Sequence, residues 1–256
     1  TGRILHTPIT DVEKLKFDLV SQLEAIEKDD RVIIVIDSIG NLASKKELED
    51  AINEKSVADM SRAKALKGLF RMVTPYLTMK NIPLLAINHT YKEIGLFPKD
   101  IVGGGTGIYY SADNIWILGR QQQKTGTEIK GYNFIINVEK SRFVKEKSKI
   151  PVSVTWDGGI ERYSGLLDIA MHGNFVAKPS NGWYCRVNQE TGVLEDPKCR
   201  EKETLTKEFW EPIFAETNLK EYIKSHYTIG LKSMLGEDID VLIMKNHQNF
   251  LMNNLL

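Results

Sequence analysis

Two short apolar segments, separated by a stretch of helix length, limit the fold of this chain more than any other feature. Residues 31–37 (RVIIVID) and 82–88 (IPLLAIN) are rich in Ile, Val and Leu. Such runs, without alternating polar residues, are typical of strands buried on both faces of a parallel sheet. Apolar residues at helical spacing predict a helix at 57–77 between them. This strand–helix–strand order predicts a βαβ unit and an α/β fold.

The rest of the chain is assigned from the same kinds of pattern. Residues 11–27 repeat apolar side chains at helical spacing, and Thr10 is the expected N-cap. The glycine-rich residues 90–107 are expected to form a long loop, and long loops in compact domains are usually functional. Later strands lack long helices between them, which predicts an antiparallel addition to the core at 114–118, 132–138 and 150–156.

The C-terminal part is expected to be small and mainly helical. The patterns predict a hairpin within 173–200 and helices at 164–172, 206–214 and 219–227. We therefore predict a core domain over residues 1–172, a hairpin with helices over 173–230, and a tail of uncertain structure over 231–256.

Composition excludes several classes of protein. The 34 Lys and Arg residues balance the 34 Asp and Glu residues, so any nucleic-acid binding must come from local patches. No apolar run approaches the ~20 residues that a membrane-spanning helix needs. Cys185 and Cys199 form no CxxC pair and no disulfide framework, which is typical of a reducing compartment.

Polar residues follow both predicted strands. Asp37 ends the first strand and is followed by Ser38, and Asn88 ends the second strand and is followed by His89. Ligands of open α/β sheets bind beyond the carboxyl ends of the strands, and a carboxylate there suits Mg²⁺, which prefers oxygen ligands and keeps its waters. An imidazole at the same edge can contact a terminal phosphate. The alternatives are that Asp37 caps a turn and that His89 is structural.

A basic face and a glycine triplet form a second group of candidates. Lys64, Lys67 and Arg71 share one face of the helix predicted at 57–77, where they can contact a phosphate backbone or form an ordinary solvated face. Glycines 103–105 permit positive φ and a close approach of backbone amides to phosphates, with simple loop flexibility as the alternative.

Two further pairs of residues are candidates for binding. Tyr91 and Phe97 lie in the long loop, where they can stack on bases, although packing onto the domain is the alternative for at least one of them. Lys140 and Arg142 stand two residues apart at a predicted strand end, so that both can point at one anion. A solvated turn is the alternative for this second pair.

Four segments, taken in chain order, resemble the RecA superfamily and within it the UvsX-like phage recombinases. They are DSIGNLASKKELEDA (37–51), LLAINHTY (84–91), VGGGTGIYYSAD (102–113) and NVEKSRFVKEKS (137–148). The resemblance implies a RecA-like core with a mainly parallel sheet flanked by helices. It also implies antiparallel strands after the second DNA-binding loop and a small helical C-terminal part.

The resemblance also implies a function in DNA recombination and repair. RecA-like recombinases are DNA-dependent ATPases that form helical filaments on single-stranded DNA and exchange strands with a homologous duplex. They hold ATP and Mg²⁺ between neighbouring subunits. The implied partners are single-stranded and double-stranded DNA, further copies of the chain, recombination mediators and single-strand-binding proteins, but no membrane. The implied place of action is the cytoplasm of the bacterial host cell.

Residue by residue, the resemblance assigns the nucleotide site. Asp37 matches the Walker B aspartate, which holds Mg²⁺ through water, and Ser38 stands beside it. His89 matches the residue that senses the γ-phosphate and signals to the second DNA-binding loop. Lys140 and Arg142 match the two cations that reach the ATP of the neighbouring subunit.

The same resemblance assigns the DNA contacts. The first DNA-binding loop corresponds to about residues 43–57 and the second to about 90–104. Lys64, Lys67 and Arg71 match the helix that contacts phosphates after the first loop. Gly103 and Gly104 match the glycine pair whose amides contact the DNA backbone.

One motif of the family does not occur in this sequence. The 256 residues contain no GxxxxGK[ST] segment, which is the phosphate-binding Walker A loop. We therefore expect a fragment, or half of a protein completed by another chain, which is inactive as an ATPase alone and leaves apolar surface exposed beside 31–37. The alternatives are a DNA-binding remnant or accessory protein that does not hydrolyse ATP, and a RecA-like hexameric helicase. The glycine triplet and the EKSR segment favour the recombinase.

Overall fold

The computed structural model describes residues 3–28, 30–54, 60–96, 98–125 and 127–229. The chain divides into two compact units, Thr1–Ile117 and Leu118–Leu256. Helices and strands are mixed throughout, so the α/β class predicted from the sequence is confirmed. The predicted domain boundary at 172 stays a prediction, and the predicted tail at 231–256 lies outside the described residues.

The elements of the described residues are as follows. The helices are α1 (Val12–Ala25), α2 (Lys45–Ile52), α3 (Ser61–Lys80), α4 (Thr106–Ser111), α5 (Leu166–His172), α6 (Lys207–Glu216) and α7 (Leu219–Tyr227), with 3₁₀ turns at Ile39–Asn41 and Glu201–Leu205. The strands are β1 (Ile34–Ile36), β2 (Leu84–Ala86), β3 (Thr90–Lys92), β4 (Asp100–Val102), β5 (Asn114–Thr125), β6 (Glu128–Ser141), β7 (Lys149–Thr155), β8 (Gly159–Ile160), β9 (Val176–Ser180), β10 (Trp183–Arg186) and β11 (Cys199–Arg200).

The first unit is built on two parallel strands. β1 and β2 pair in the register Ile34↔Leu84 and Ile36↔Ala86, so their carboxyl ends lie at the same edge. One face of this pair packs into a core formed with α1 and α3, where Leu19 and Val73 are buried. This parallel sheet has two strands in the described residues, which is narrower than the mainly parallel sheet that the resemblance implies.

The opposite face of the β1–β2 pair is open. Its four apolar side chains are between 45% and 62% exposed: Ile33, Val35, Leu85 and Ile87. The prediction that both strands are buried on both faces is therefore wrong for this structure, because α1 and α3 cover one face only. The predicted exposure of apolar surface beside the first strand is confirmed.

Side chains at both ends of α1 satisfy its free backbone groups. Asp11 is the N-cap, not Thr10 as predicted, because the Asp11 carboxylate accepts the Lys14 backbone N–H at 2.8 Å. That bond lowers the pKa of the Asp11 carboxyl. At the other end the Lys80 ammonium donates to the Leu23 carbonyl at 2.6 Å.

The expected long loop at 90–107 contains a hairpin. β3 and β4 pair antiparallel from Thr90↔Val102 to Lys92↔Asp100, and a 2.8 Å ion pair joins the last two side chains. The prediction of a loop without regular structure is wrong at these ends, because the short ladder lacks the apolar alternation by which strands are recognised. No helix of the described residues combines the length and apolar content that a membrane crossing requires.

The antiparallel sheet after the loop lies mainly in the second unit, and its first strand starts in the last residues of the first unit. β5, β6, β7 and β8 are neighbours in one sheet, and β6 pairs with β7 from Gly131↔Thr155 to Asn137↔Lys149. A second sheet of β9, β10 and β11 packs with α5, α6 and α7 around the buried Trp210. Antiparallel strands after the loop and helices in the C-terminal part are present in this structure, while their RecA-like arrangement stays a prediction.

Candidate functional site

Asp37 and His89 lie at the same edge of the β1–β2 pair. The Ile87 N–H donates to the Ile36 carbonyl at 2.9 Å, and the Ile39 N–H donates to the Ile87 carbonyl at 2.9 Å. The two segments that follow β1 and β2 therefore stay paired beyond the strands. Asp37 lies between these two bonds, and His89 comes two residues after Ile87. Both side chains are exposed, so this edge presents a carboxylate and an imidazole to a ligand.

The His89 imidazole is held by the turn that follows Asp37. Its Nε2 lies 3.0 Å from the Asn41 carboxamide oxygen. Gly40 has to be a glycine for this placement, because a Cβ there would overlap the Cδ2 of His89 and lie 3.0 Å from its Cγ. Asn41 was not among the residues selected from the sequence, since nothing in its spacing indicates a contact with His89.

The same histidine is tied to the hairpin. The Gly103 N–H donates to the His89 carbonyl at 3.0 Å, and the Asn88 amide donates to the Gly103 carbonyl at 2.8 Å. The Asn88 side-chain oxygen in turn accepts the His89 backbone N–H at 2.9 Å. The Gly103 amide is thus used inside the protein, so the predicted contact of this amide with DNA requires the bond to His89 to open.

The glycines after β4 also have a packing reason. Gly104 and Gly105 have φ of +88° and +83°, a region that favours glycine. A Cβ on Gly104 would overlap the Ile108 side chain, and one on Gly107 would lie 2.7 Å from the Lys67 Cβ. These glycines therefore let the start of α4 lie against α3. This packing accounts for the glycines whether or not they also contact DNA as predicted.

The basic face of α3 lies where the sequence predicts it. Lys64, Lys67 and Arg71 are exposed, while Leu66 and Phe70 are buried against the core. The helix thus separates a cationic solvent face from an apolar core face. The structure places this face on the same unit as Asp37 and His89.

Arg62 on α3 is a further residue that the sequence analysis did not select. Its guanidinium donates to the carbonyls of Leu42 at 2.6 Å, Ile39 at 2.8 Å and Gly40 at 2.9 Å. It therefore fixes the turn that carries Asn41. Sequence patterns gave no signal for this, because an arginine at the start of a helix most often faces solvent.

The hairpin tip exposes apolar side chains. Tyr91 is 57% exposed, and Ile94 and Leu96 are 101% and 95% exposed. Of the two aromatics selected from the sequence, Tyr91 is therefore available for stacking and Phe97 lies outside the described residues. Ile94 and Leu96 were not selected, since apolar residues in a short segment do not indicate by themselves whether they are buried.

The predicted cation pair lies in the second unit. Lys140 is half-buried in the last residues of β6, and the exposed Arg142 follows the strand directly. Between them Ser141 is buried, and its hydroxyl accepts backbone N–H groups at 3.0 and 3.1 Å. The Lys145 ammonium donates to the His226 carbonyl at 2.7 Å, so the turn that follows Arg142 is anchored to the end of α7. Asp37 and His89 belong to the first unit.

The residues at the edge of β1 fit part of a Mg²⁺-nucleotide. Asp37 offers an exposed carboxylate, which is a suitable outer ligand for a hydrated Mg²⁺. The buried Ser38 hydroxyl has no hydrogen-bond partner within the described residues, so it retains capacity for a ligand or water. The sequence contains no GxxxxGK[ST], so the fit covers the metal and the terminal phosphate but no phosphate cradle.

Comparison with known proteins identifies relatives of this chain. Residues 163–223 match the family model described as bacteriophage T4, recombination and repair protein, C-terminal domain. The recombination and repair protein of Enterobacteria phage T4 is 49% identical over 255 residues, which is 97% of this chain. The chain is a UvsX-like member of the RecA superfamily. It spans 65% of the length of the T4 protein.

Bacterial RecA proteins are more distant relatives of this UvsX-like chain. The RecA protein of Tropheryma whipplei (strain Twist) is 27% identical over 163 residues, covering 62% of this chain and 37% of that protein. The RecA protein of Staphylococcus aureus (strain JH9) is 24% identical over 182 residues, covering 66% of this chain and 52% of that protein. The expected membership of the RecA superfamily is therefore confirmed.

Proposed function

We propose that this chain carries the nucleotide-responsive and DNA-contacting elements of an ATP-dependent strand-exchange protein that forms filaments on single-stranded DNA in the host cell. The observation that carries the proposal is the position of His89. Its side chain bonds to the turn after Asp37, and its backbone bonds to Gly103 at the base of the exposed hairpin. One residue thus joins the edge that carries Asp37 to a loop that faces solvent. Proposed partners are single-stranded and double-stranded DNA and further copies of the chain, with mediator and single-strand-binding proteins.

At the nucleotide, each residue has a limited task. Bound ATP supplies the phosphoryl group, and Mg²⁺ neutralises its charge. Asp37 would hold the metal through water, with Ser38 beside it, and the His89 imidazole would hydrogen-bond the terminal phosphate. Lys140 and Arg142 would reach the nucleotide of a neighbouring copy, where one such cation contributes about 10³–10⁵ to the rate in related systems.

At the DNA, the cationic face of α3 and the hairpin have different tasks. The exposed Lys64, Lys67 and Arg71 would neutralise phosphates without reading the sequence. The half-exposed Tyr91 would stack on a base, a contact of about 1–3 kcal/mol. Gly103 and Gly104 would let the backbone approach the DNA once the bond from Gly103 to His89 opens.

Salt-dependent binding of a labelled single-stranded oligonucleotide tests the DNA half of the proposal. Replacing Lys64, Lys67 and Arg71 together with Gln removes up to three phosphate contacts. Because log K changes by about 0.7 per contact for each decade of salt, the slope should become shallower by about 2. Fluorescence anisotropy over a range of salt concentrations measures this slope.

A matched control uses three other exposed cations of the first unit. Lys14, Lys28 and Arg31 are replaced together with Gln, which changes the net charge by the same amount. Lys28 and Arg31 precede β1, so they lie toward the edge opposite Asp37. The control should keep the wild-type slope. An equal loss in both triple variants would show a general charge effect and would contradict the proposed face.

The nucleotide half is tested with Mn²⁺ and ATP, since paramagnetic Mn²⁺ broadens the NMR signals of nearby protons. The His89 imidazole signals should broaden on addition of Mn²⁺ with ATP, and Asp37→Asn should remove the effect. Hydrolysis of ATP by the chain, with and without single-stranded DNA, separates the recombinase from a DNA-binding protein that does not hydrolyse ATP. The sequence contains no GxxxxGK[ST] segment, so for the chain alone we expect DNA binding without hydrolysis of ATP.

A further inference from the structure

Helix α3 carries a cationic solvent face and, in its first turn, an arginine that contacts the site. Its exposed face carries Lys64, Lys67 and Arg71, and its first turn carries Arg62. Arg62 stands two residues before Lys64 in a continuous helix, so a force applied to the cationic face also acts on the Arg62 backbone. A movement of the cationic face can therefore reach the groups that are bonded to the Arg62 side chain.

Arg62 holds the turn that follows Asp37. Its guanidinium reaches three carbonyls of that turn, those of Ile39, Gly40 and Leu42, at 2.6 to 2.9 Å. The planar guanidinium has several donors in fixed directions, so it bonds all three carbonyls at once. The ammonium group of a lysine lacks this fixed geometry, so Arg62→Lys keeps the charge and loses the arrangement.

The turn held by Arg62 also holds the imidazole. Asn41 stands between the bonded carbonyls of Gly40 and Leu42, and its side-chain oxygen lies 3.0 Å from Nε2 of His89. A Cβ on Gly40 would overlap the same ring, so the turn contacts the imidazole at two adjacent positions. A shift of this turn therefore changes the placement of the imidazole.

We propose that Arg62 couples DNA contact on α3 to the position of the His89 imidazole, through the turn at residues 39–42 and Asn41. This coupling rests on the proposed function, in which α3 binds phosphates and His89 meets a nucleotide. It is a second route between the two sites, separate from the bond between Gly103 and His89. Arg62 and Asn41 are positioning residues, since they act through His89.

The test follows the imidazole signals of the 256-residue chain labelled with ¹⁵N-histidine. His89→Gln identifies the His89 signals by their loss. An unlabelled single-stranded oligonucleotide of thymidine should shift these signals in the wild-type chain. Arg62→Lys and Asn41→Ala should bind the oligonucleotide with unchanged affinity, because the cationic face is intact, and should show a clearly smaller shift, whose remainder reports the route through Gly103. Arg31→Lys, an exposed arginine outside the path, should retain the whole shift.

The outcomes separate the coupling from the proposed function. Failure of the wild-type chain to bind the oligonucleotide would overturn the proposed function and this coupling with it. Binding without a shift of the His89 signals, or a full shift in both Arg62→Lys and Asn41→Ala, would overturn the coupling and leave DNA binding in place. Asn41 is exposed, so Asn41→Ala keeps the test valid should Arg62→Lys fold poorly.

Discussion

Gly40→Ala should move the His89 imidazole while leaving the fold nearly as stable as before. The added methyl group overlaps the Cδ2 of His89 and lies 3.0 Å from its Cγ and Nε2. Carbon atoms in contact are about 3.5–4.0 Å apart, so the overlap with Cδ2 requires the ring to shift by at least about 1.5 Å. Because Nε2 now lies 3.0 Å from the Asn41 oxygen, such a shift breaks or weakens that bond.

The energetic cost should be small because His89 is exposed, so its ring can move toward solvent once the bond to Asn41 is lost. Loss of one hydrogen bond costs about 0.5–1.5 kcal/mol, whereas a ring held in place would impose an overpacking cost of about 1–3 kcal/mol. Alanine also lowers the conformational entropy of the unfolded chain, which raises the free energy of unfolding by about 0.4–1 kcal/mol. We therefore expect a net loss of no more than about 1 kcal/mol in the free energy of unfolding.

Urea unfolding and the ¹⁵N spectrum of His89 measure the two effects separately. Gly68→Ala is the matched control, since its Cβ meets no heavy atom within 4 Å. As an alanine within α3, it should stabilise the fold by about 0.5–1 kcal/mol and leave the His89 signals unchanged. An unchanged His89 spectrum in Gly40→Ala would refute this reasoning. So would a loss above about 3 kcal/mol, because it would mean that the ring is rigidly held.

Three further predictions concern stability. Asp11→Ala should lower the free energy of unfolding by about 0.5–2 kcal/mol in urea titrations; because a backbone N–H of the first turn lowers the pKa of this carboxyl, the difference should shrink as pH falls through the folded-state pKa. Burial lowers the pKa of His226, so the melting temperature should fall as pH drops below about 6.5, and it should fall less in His226→Asn than in the wild type. Gly131→Ala should destabilise the chain strongly, because its Cβ would overlap a backbone carbonyl of β7, whereas Gly119→Ala, whose nearest neighbours are at 3.7 Å, should have little effect by thermal melts.

The parts of the fold that follow from local pattern were predictable. The apolar runs locate β1 and β2, and their parallel pairing brings Asp37 and His89 to one edge. The spacing of Lys64, Lys67 and Arg71 predicts their shared exposed face, because helical periodicity alone determines it. Helix α7 begins and ends at the predicted residues, 219 and 227.

The contacts that complete the site were not predictable from one sequence. Arg62 bonds carbonyls that precede it by 20 to 23 residues, and Asn41 meets His89 across 48 residues. Such bonds depend on the tertiary arrangement and leave no periodic signal. The open face of β1 and β2 was missed for the same reason, since an apolar run predicts a buried strand but does not show what covers each face.

The hairpin of β3 and β4 is fixed at its base and exposed at its tip. Its base is fixed by the bonds of Asn88 and His89 to Gly103, and its tip carries the fully exposed Ile94. Ile94 is five positions after His89, which at about 3.3 Å per residue gives an arm of about 17 Å. A tilt of about 10° at the base would therefore carry the tip through about 3 Å, close to the spacing of stacked bases along a strand. The exposed tip of the hairpin is thus far more sensitive than its base to a small rotation at Asn88 and His89.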